Sequence, residues 1–582
     1  MAYNLEINKT SIASNNNGGI FNPSSGTVDY TYGANAQAIA YTDLQLVSGT
    51  QNQVSSASRP FIAADVGNFI QIAAPYGVSQ SNLSNRVCIF SSAGGTTGGS
   101  FSFNGGGVWI TPVSNGVEGL GQPNNNFLIG NFNTGNIPVM VLPYLPAGVQ
   151  SWNVYLGPNN NSTATDYFLY ANTSSRILTM SAAWPTTGQN PPTVAPSGWW
   201  GGFYEITSVS GGVATLSASV ASSGTSTSGT GVLGGPISSP NLAINLTIPY
   251  QGYVSYISGS FSTACLVFGS GYGDLTGYST TRGDGGKATI TYDGTSPVSA
   301  LGTTVNNNNS DVQANISNVV FNANGAINAN QQFDCIYVGL NQCLFFNCEF
   351  NGATDGNGVN IQNSVPIIEC SSANNKYGYL IGSCAPNLIR CTAQNNSADG
   401  FYAYQAYQTN WSILECFSIN NGGIGFNLPS VRGTNIIGCV AYKNASHGFY
   451  ISNGYSGSIL WSCIASTNGG SGFYNCTENL FDNNQLFSYN NTSADTGNYS
   501  TYNPSATTTV LASDPFVDAA GGNFTLNDTA GGGALLRGAA WPNGFTGLPY
   551  TNDSRDIGAA QSAGTGGGGG LIIPGRGFGR GF

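Results

Sequence analysis

Glu369, Arg390 and Glu415 each stand immediately before a cysteine, in a chain of which only 7% is charged. Two carboxylates flanking a sugar can hydrolyse its glycosidic bond, one protonating the leaving oxygen and the other activating a water. They must then face the same way at a fixed separation, so a periodic element has to carry them. The cysteines that follow them belong to such a series: Cys348, Cys370, Cys391, Cys416, Cys439 and Cys463 recur at intervals of 22, 21, 25, 23 and 24 residues. Gly378-Tyr379, Gly400-Phe401-Tyr402, Gly425-Phe426, Gly448-Phe449-Tyr450 and Gly472-Phe473-Tyr474 recur in step, each behind a polar stretch with Asn. The runs between them, such as 412–416 and 434–438, are short and β-like, and no helical period crosses them. A period of this length marks a solenoid, in which each unit buries its apolar face only against its neighbours. Three short strands and three turns fill about 23 residues, which is one coil of a parallel β-helix.

With the cysteines inward, alternation along a strand sends the preceding residue outward. The outward column is then Asn347, Glu369, Arg390, Glu415, Gly438 and Ser462. Glu369 and Glu415 fall two coils apart, about 9–10 Å at the spacing of paired strands. Inverting glycosidases hold their carboxyl groups about 6.5–9.5 Å apart, which makes this pair the candidate catalytic acids. The competing reading is a Glu–Arg–Glu ladder in which Arg390 keeps both acids ionised. It is favoured, because a general acid needs a raised pKa. Asp399 and His447 form a second outward candidate, two coils apart in the turn before the Gly-aromatic step, although a histidine in such a turn is ordinarily just solvated. Asp334, Glu349 and Asp355 add acids without a pattern. The segment 401–411 is the longest departure from the repeat and is expected to bulge as a loop. Its Tyr404, Tyr407 and Trp411, with Gln405 and Gln408, suit stacking on sugar faces and bonding to hydroxyls. Packing on the next coil or on a neighbouring subunit is the alternative.

Composition narrows the classes. The chain of 582 residues has 82 glycines, but 40% of it is hydrophobic, with 29 Phe and 30 Tyr, which excludes disorder. A net charge of −11 with only 14 Lys and Arg argues against a nucleic-acid partner. So weakly charged a surface suggests cover by other copies or subunits. The first residues show no basic segment followed by an apolar one, so no secretory signal is expected. No stretch approaches about 18 consecutive apolar residues, so no membrane span is expected either. Twelve cysteines with a single histidine, His447, and no zinc-type spacing predict no metal and no cofactor. The stacked cysteines are expected as buried thiols, because their Cβ vectors run parallel rather than converging.

Residues 1–27 read as an arm. The phrases 61–72 and 202–209 resemble the two halves of a small β module that precedes the β-helix in many phage tail proteins and related bacterial surface proteins. This gives a module of 28–75 and 200–245 with an inserted β domain at 76–199. Within the insertion, 148–157 resembles a strand of a fibronectin type III-like sandwich. The parallel β-helix is expected over 246–526. Residues 514–516, 522–526 and 555–561 resemble the closing segment of pectate-lyase-like β-helix proteins, which implies a cap, 527–561, over the open end of the stack. The tail, 562–582, is low in complexity. Its Arg576, Phe578, Arg580 and Phe582 suit cation–π docking on a neighbouring subunit, or form a flexible end without a partner.

The expected fold class is therefore all-β: a right-handed parallel β-helix with N-terminal sandwich-like modules, a C-terminal cap and a Gly-rich tail. In these modules and phrases the chain resembles the β-helical tailspikes and fibres of tailed phages. That resemblance implies a homotrimer in the virion, made in the host cytoplasm, joined to other virion proteins and attached to host surface polysaccharide. Three functions stay open: a non-catalytic structural or receptor-binding virion protein, a polysaccharide depolymerase using Glu369 and Glu415, and a bacterial extracellular surface or matrix protein.

Overall fold

The computed structural model describes residues 3–8, 20–21, 38–73, 76–78, 88–91, 106–121, 123–124, 138–142, 145, 149–158, 163–175, 177–180, 182–183, 185–194, 196–234, 240, 253–263, 273–292, 314–325, 334–338, 343–362, 364–382, 384–404, 412–429, 431, 433–451, 459–476, 486–495 and 508–537. They are strands and turns with a few 3₁₀ turns, and no helix among them is long and apolar enough to cross a membrane. The chain divides into two compact units, Met1–Asn387 with Ala393–Ala398, and Leu388–Thr392 with Asp399–Phe582.

The first unit holds three kinds of β structure. The two phrases read as halves of one module pair directly: Phe69–Ala73 runs antiparallel to Trp200–Ser210, with Ile70 opposite Tyr204 and Ile72 opposite Gly202. Their seven-stranded sheet closes on itself, because Val213–Leu216 bonds to both Gln53–Ser55 and Trp200–Ser210. Closure leaves one interior, filled by Tyr41, Leu44, Ile70, Ile72, Trp199 and Tyr204 among others. The insertion forms a sandwich. A sheet of Gly106–Ser114, Ser151–Pro158 and Phe168–Thr173 faces a second sheet of Cys88–Ser91, Pro138–Val141 and Ile177–Thr179. Val108, Ile110, Met140, Trp152, Val154 and Leu156 fill the space between them.

The rest of this unit is parallel coil. Tyr3–Asn8, inside the expected arm, is already a strand of it, in register with Tyr253–Ser258 from Tyr3 opposite Tyr253 to Asn8 opposite Ser258. Its Glu6 is only 1% exposed and is held by the Arg282 guanidinium at 2.9 Å and by the Tyr278 hydroxyl. From Gly273–Tyr278 the first sheet continues through Ala314–Ser317 and Cys343–Phe346 to Pro366–Ile368. A second sheet runs from Ser260–Thr263 through Ala288–Tyr292, Val319–Asn322 and Glu349–Asn351 to Ser371–Ala373. Ile336–Val338, Asn357–Ile361 and Tyr377–Ile381 make a third. The fold is a parallel β-solenoid.

The second unit repeats the same coil. Its first sheet pairs Ser412–Leu414, Asn435–Ile437 and Ile459–Trp461. Its second pairs Phe417–Ile419, Val440–Tyr442, Cys463–Ser466, Leu486–Tyr489 and Thr509–Val510. Its third pairs Phe401–Ala403, Phe426–Asn427, Phe449–Tyr450 and Phe473–Tyr474. Three of the inward columns of this unit carry the marks of the repeat. Every described cysteine side chain of the protein is a buried thiol, and in this unit Cys391, Cys416, Cys439 and Cys463 form one such column. Phe401, Phe426, Phe449 and Phe473 form a second, with rings stacked 4.7, 4.7 and 5.1 Å apart. Asn421, Asn444, Asn468 and Asn491 form the third: the backbone N–H of each donates to the side-chain oxygen of the next, at 3.2, 3.0 and 2.9 Å.

The hairpin of Phe516–Asp518 and Asn523–Leu526, within the phrases read as a closing segment, lies along the side of these coils. Phe516 and Phe524 pack with Leu511, Leu526 and Leu536 on outward-facing Phe417, Ile419, Phe487 and Tyr489. Alternation explains the target: with Ser418 inward, Phe417 and Ile419 face out as an apolar strip that requires cover. Residues 538–582, which include the remainder of the expected cap and the tail with Arg576, Phe578, Arg580 and Phe582, lie outside the described residues.

Candidate functional site

The column before the cysteines is placed differently from a strand column. Asn347, Glu369, Arg390, Glu415 and Ser462 all have left-handed backbone, with φ of 50, 56, 52, 54 and 54°, and Gly438 has 65°. Each is the single bend residue between a first-sheet and a second-sheet strand, so alternation along a strand does not set its direction. Non-glycine residues in this region are uncommon, and here they recur where bend N–H groups are tied to the next coil. Arg390 N donates to Leu414 O and Glu415 N to Ile437 O, both at 2.8 Å. Neighbouring members of the column can touch, as Asn347 Nδ2 does Asn318 Oδ1 at 2.7 Å. Glu369 is half-buried, whereas Glu415 is 4% exposed. Glu369 belongs to the first unit and Glu415 to the second. Of the other acids, Glu349 is paired with Lys287 Nζ at 2.8 Å.

The turn that leads into the third sheet carries the other candidates. Because Phe401, Phe426 and Phe449 are in register, Asp399 and His447 stand two coils apart with Ile424 between them. Asp399 is not outward: it is 9% exposed, and its carboxylate accepts from Ile424 N at 2.6 Å and Asn427 Nδ2 at 2.8 Å. Burial raises its pKa against those two hydrogen bonds. His447 Nδ1 accepts from Ser471 N at 3.0 Å, which fixes the neutral imidazole with its proton on Nε2. Partial burial lowers its pKa in the same sense. Its ring lies 4.1 Å from that of Tyr474 and nearly parallel to it. The first unit uses the same turn. Asp334 is buried and accepts from Asn357 N and from the side-chain amides of Asn357 and Asn360, and burial pushes its pKa up to about 6.

The third-sheet strands of the second unit then present a row outward. Each has Phe inward, so the next residue faces out: Tyr402, Asn427, Tyr450 and Tyr474. Tyr474 is 39% exposed and lies 5.6 Å from Tyr450, while Tyr404, one step beyond the first strand, is 40% exposed. The tyrosines of the row offer hydroxyls and ring edges, a surface suited to holding an extended polyhydroxylated chain, while the Asn427 amide is turned to the scaffold, its Nδ2 on Asp399 and its Oδ1 buried. Both Asp399 oxygens are engaged by the scaffold, so the row has the character of a binding surface rather than of an acid–base pair.

Of the expected loop residues only Tyr404 is described; Gln405, Tyr407, Gln408 and Trp411 lie outside the described residues. Tyr402, Tyr450 and Tyr474 were visible in the sequence as the second aromatic of each Gly-Phe-Tyr triplet. The triplet serves there as a repeat marker, and the alternation that turns its last residue outward is the signal left unused.

No protein-family model and no curated protein matches the chain. Among solved structures it is similar to the pectate lyase Pel9A, at 15% identity and a TM-score of 0.39 over 56% of this chain and 92% of that one. It is also similar to a rhamnogalacturonan lyase, at 15% identity and a TM-score of 0.31 over 49% and 86%. The tailspike protein gp49 from Pseudomonas phage LKA1 aligns at 9% identity with a TM-score of 0.17, over 82% and 66%. The solenoid assignment rests on the pairing of this chain's own strands.

Proposed function

We propose that this protein is a non-catalytic, glycan-binding structural component of a phage virion, a tailspike, fibre or surface spike built as a homotrimer. One observation carries the glycan part: the outward row of Tyr402, Asn427, Tyr450 and Tyr474 on a rigid parallel sheet. The low charge of the chain supports a surface covered by other subunits. Among the described residues none of the row is an acid, and both oxygens of the buried Asp399 beside it are engaged, which favours attachment over cleavage. Expected outcomes follow. Purified protein binds a host surface polysaccharide and releases no reducing sugar from it. Electron micrographs of the native assembly show three copies of the chain. Reducing-sugar release that disappears in Glu369→Gln or Glu415→Gln would overturn the non-catalytic reading and restore the acid pair. Absence of binding to any host glycan would overturn attachment itself.

A further inference from the structure

The charges around the tyrosine row restrict what it can hold. Acidic polysaccharides are recognised through their carboxylates, which require Arg or Lys within hydrogen-bond reach, or divalent cations held by clustered protein carboxylates. Among the described residues of the second unit the cations are Arg390, Lys443 and Arg537, and none stands on a third-sheet strand. Arg390 occupies the bend before the second sheet and Lys443 the bend after a second-sheet strand. Arg537 is paired with Asp528 at 2.7 Å beside the closing hairpin.

The acids are placed the other way. Asp399 underlies Asn427, and Asp495 Oδ1 accepts from Phe473 N at 3.0 Å, one residue from Tyr474. Among the described residues no group of three or more His, Cys, Asp and Glu could hold a metal ion. A uronic-acid polymer laid along the row would meet negative potential and, among the described residues of this unit, neither a cation on the row nor a cluster of cation ligands, on a chain whose net charge is −11.

We infer that the row takes a neutral polysaccharide and rejects uronic-acid polymers; this rests on the glycan-binding reading above. The test measures binding of the full chain to a neutral glucan, galactan and mannan, and to polygalacturonate and alginate, at low salt and with and without calcium. The expected result is that at least one neutral polymer binds at least roughly ten-fold more tightly than either acidic one, calcium making no difference. Tyr474→Ala should weaken the neutral polymer by a similar factor, and Tyr474→Arg should gain affinity for polygalacturonate. Binding of an acidic polymer as tight as that of every neutral one, and lost in Tyr474→Ala, would overturn the inference while leaving glycan binding intact. Failure of every polymer to bind would overturn both together.

Discussion

At the scale of the residue, position in the coil matters more than residue type. Asp334 and Asp399 occupy the same turn as His447, and all three spend their polar atoms on the N–H groups of the next coil. The cost of enclosing Asp334 is measurable. Its pKa rises from 3.8 unfolded to about 6 folded, so the unfolded chain binds fewer protons between those values and stability must fall as pH rises through them. The contribution is fully present below about pH 4 and lost above about pH 6, roughly 3 kcal/mol in all. Asp334→Asn removes it. The stability difference between variant and wild type, from denaturant titrations, should therefore shift in the variant's favour by up to about that amount between pH 4 and pH 7. A difference independent of pH would mean that Asp334 titrates normally.

The repeated glycine gives a second residue-scale prediction. Gly425 has no left-handed backbone; a Cβ there would lie 2.6 Å from Gly448 O and 2.8 Å from Asn444 Nδ2. Gly448 meets Gly472 O at 2.6 Å in the same way. These glycines serve close approach between coils, where the sequence suggests only a turn. Gly425→Val should lower stability by about 3 kcal/mol or more by overpacking, and Gly400→Val similarly. A melting temperature equal to that of wild type would contradict the packing described.

At the scale of the element, the coil was legible because its marks are spaced by the period itself. Cysteine, Gly-aromatic and Asn all recur at 21 to 25 residues, and each proves to be one inward or turn column. The direction of the Glu369–Glu415 column was not legible. Alternation holds within a strand, and a left-handed bend residue belongs to neither flanking strand. The asparagine column was equally present in the sequence, at Asn421, Asn444 and Asn468, but polar residues in turns read as solvated until the structure shows them 1% exposed. Asn444 takes part in a chain that runs both ways. Its Nδ2 donates to Ser418 O at 3.1 Å and Asn468 Oδ1 at 3.0 Å, and its Oδ1 accepts from Asn421 N and Nδ2. Asn444→Ala leaves several buried groups unpaired, each costing about 1–3 kcal/mol. It should destabilise by about 2–5 kcal/mol in denaturant unfolding. Asn420→Gly, at the exposed left-handed bend next to the column, should cost much less. Equal effects at the two positions would show that the buried chain carries no special stability.

At the scale of the whole molecule, the described cysteines hold the solenoid without covalent staples. The cysteines whose side chains are described are buried thiols, and Cys391, Cys416, Cys439 and Cys463 stack as one column. Some donate weakly to carbonyls, as Cys348 does to Ile316 O at 3.5 Å and Cys416 to Leu388 O at 3.5 Å. Burial pushes the thiols of Cys335, Cys384 and Cys476 up to about 12, away from the thiolate that oxidants and alkylating agents require. Two consequences can be measured. Thermal unfolding should give the same midpoint with and without a reductant, because the described thiols close no loop in the unfolded chain. A maleimide should react slowly with these thiols in the native protein and rapidly once it is unfolded, so labelling should follow the unfolding curve. If reductant lowered the midpoint by several degrees, or if Cys416 and Cys439 were recovered joined in one peptide, the parallel thiol column would be wrong. The register that places Tyr402, Tyr450 and Tyr474 on one outward row would then lose its support, because the same coil fixes both.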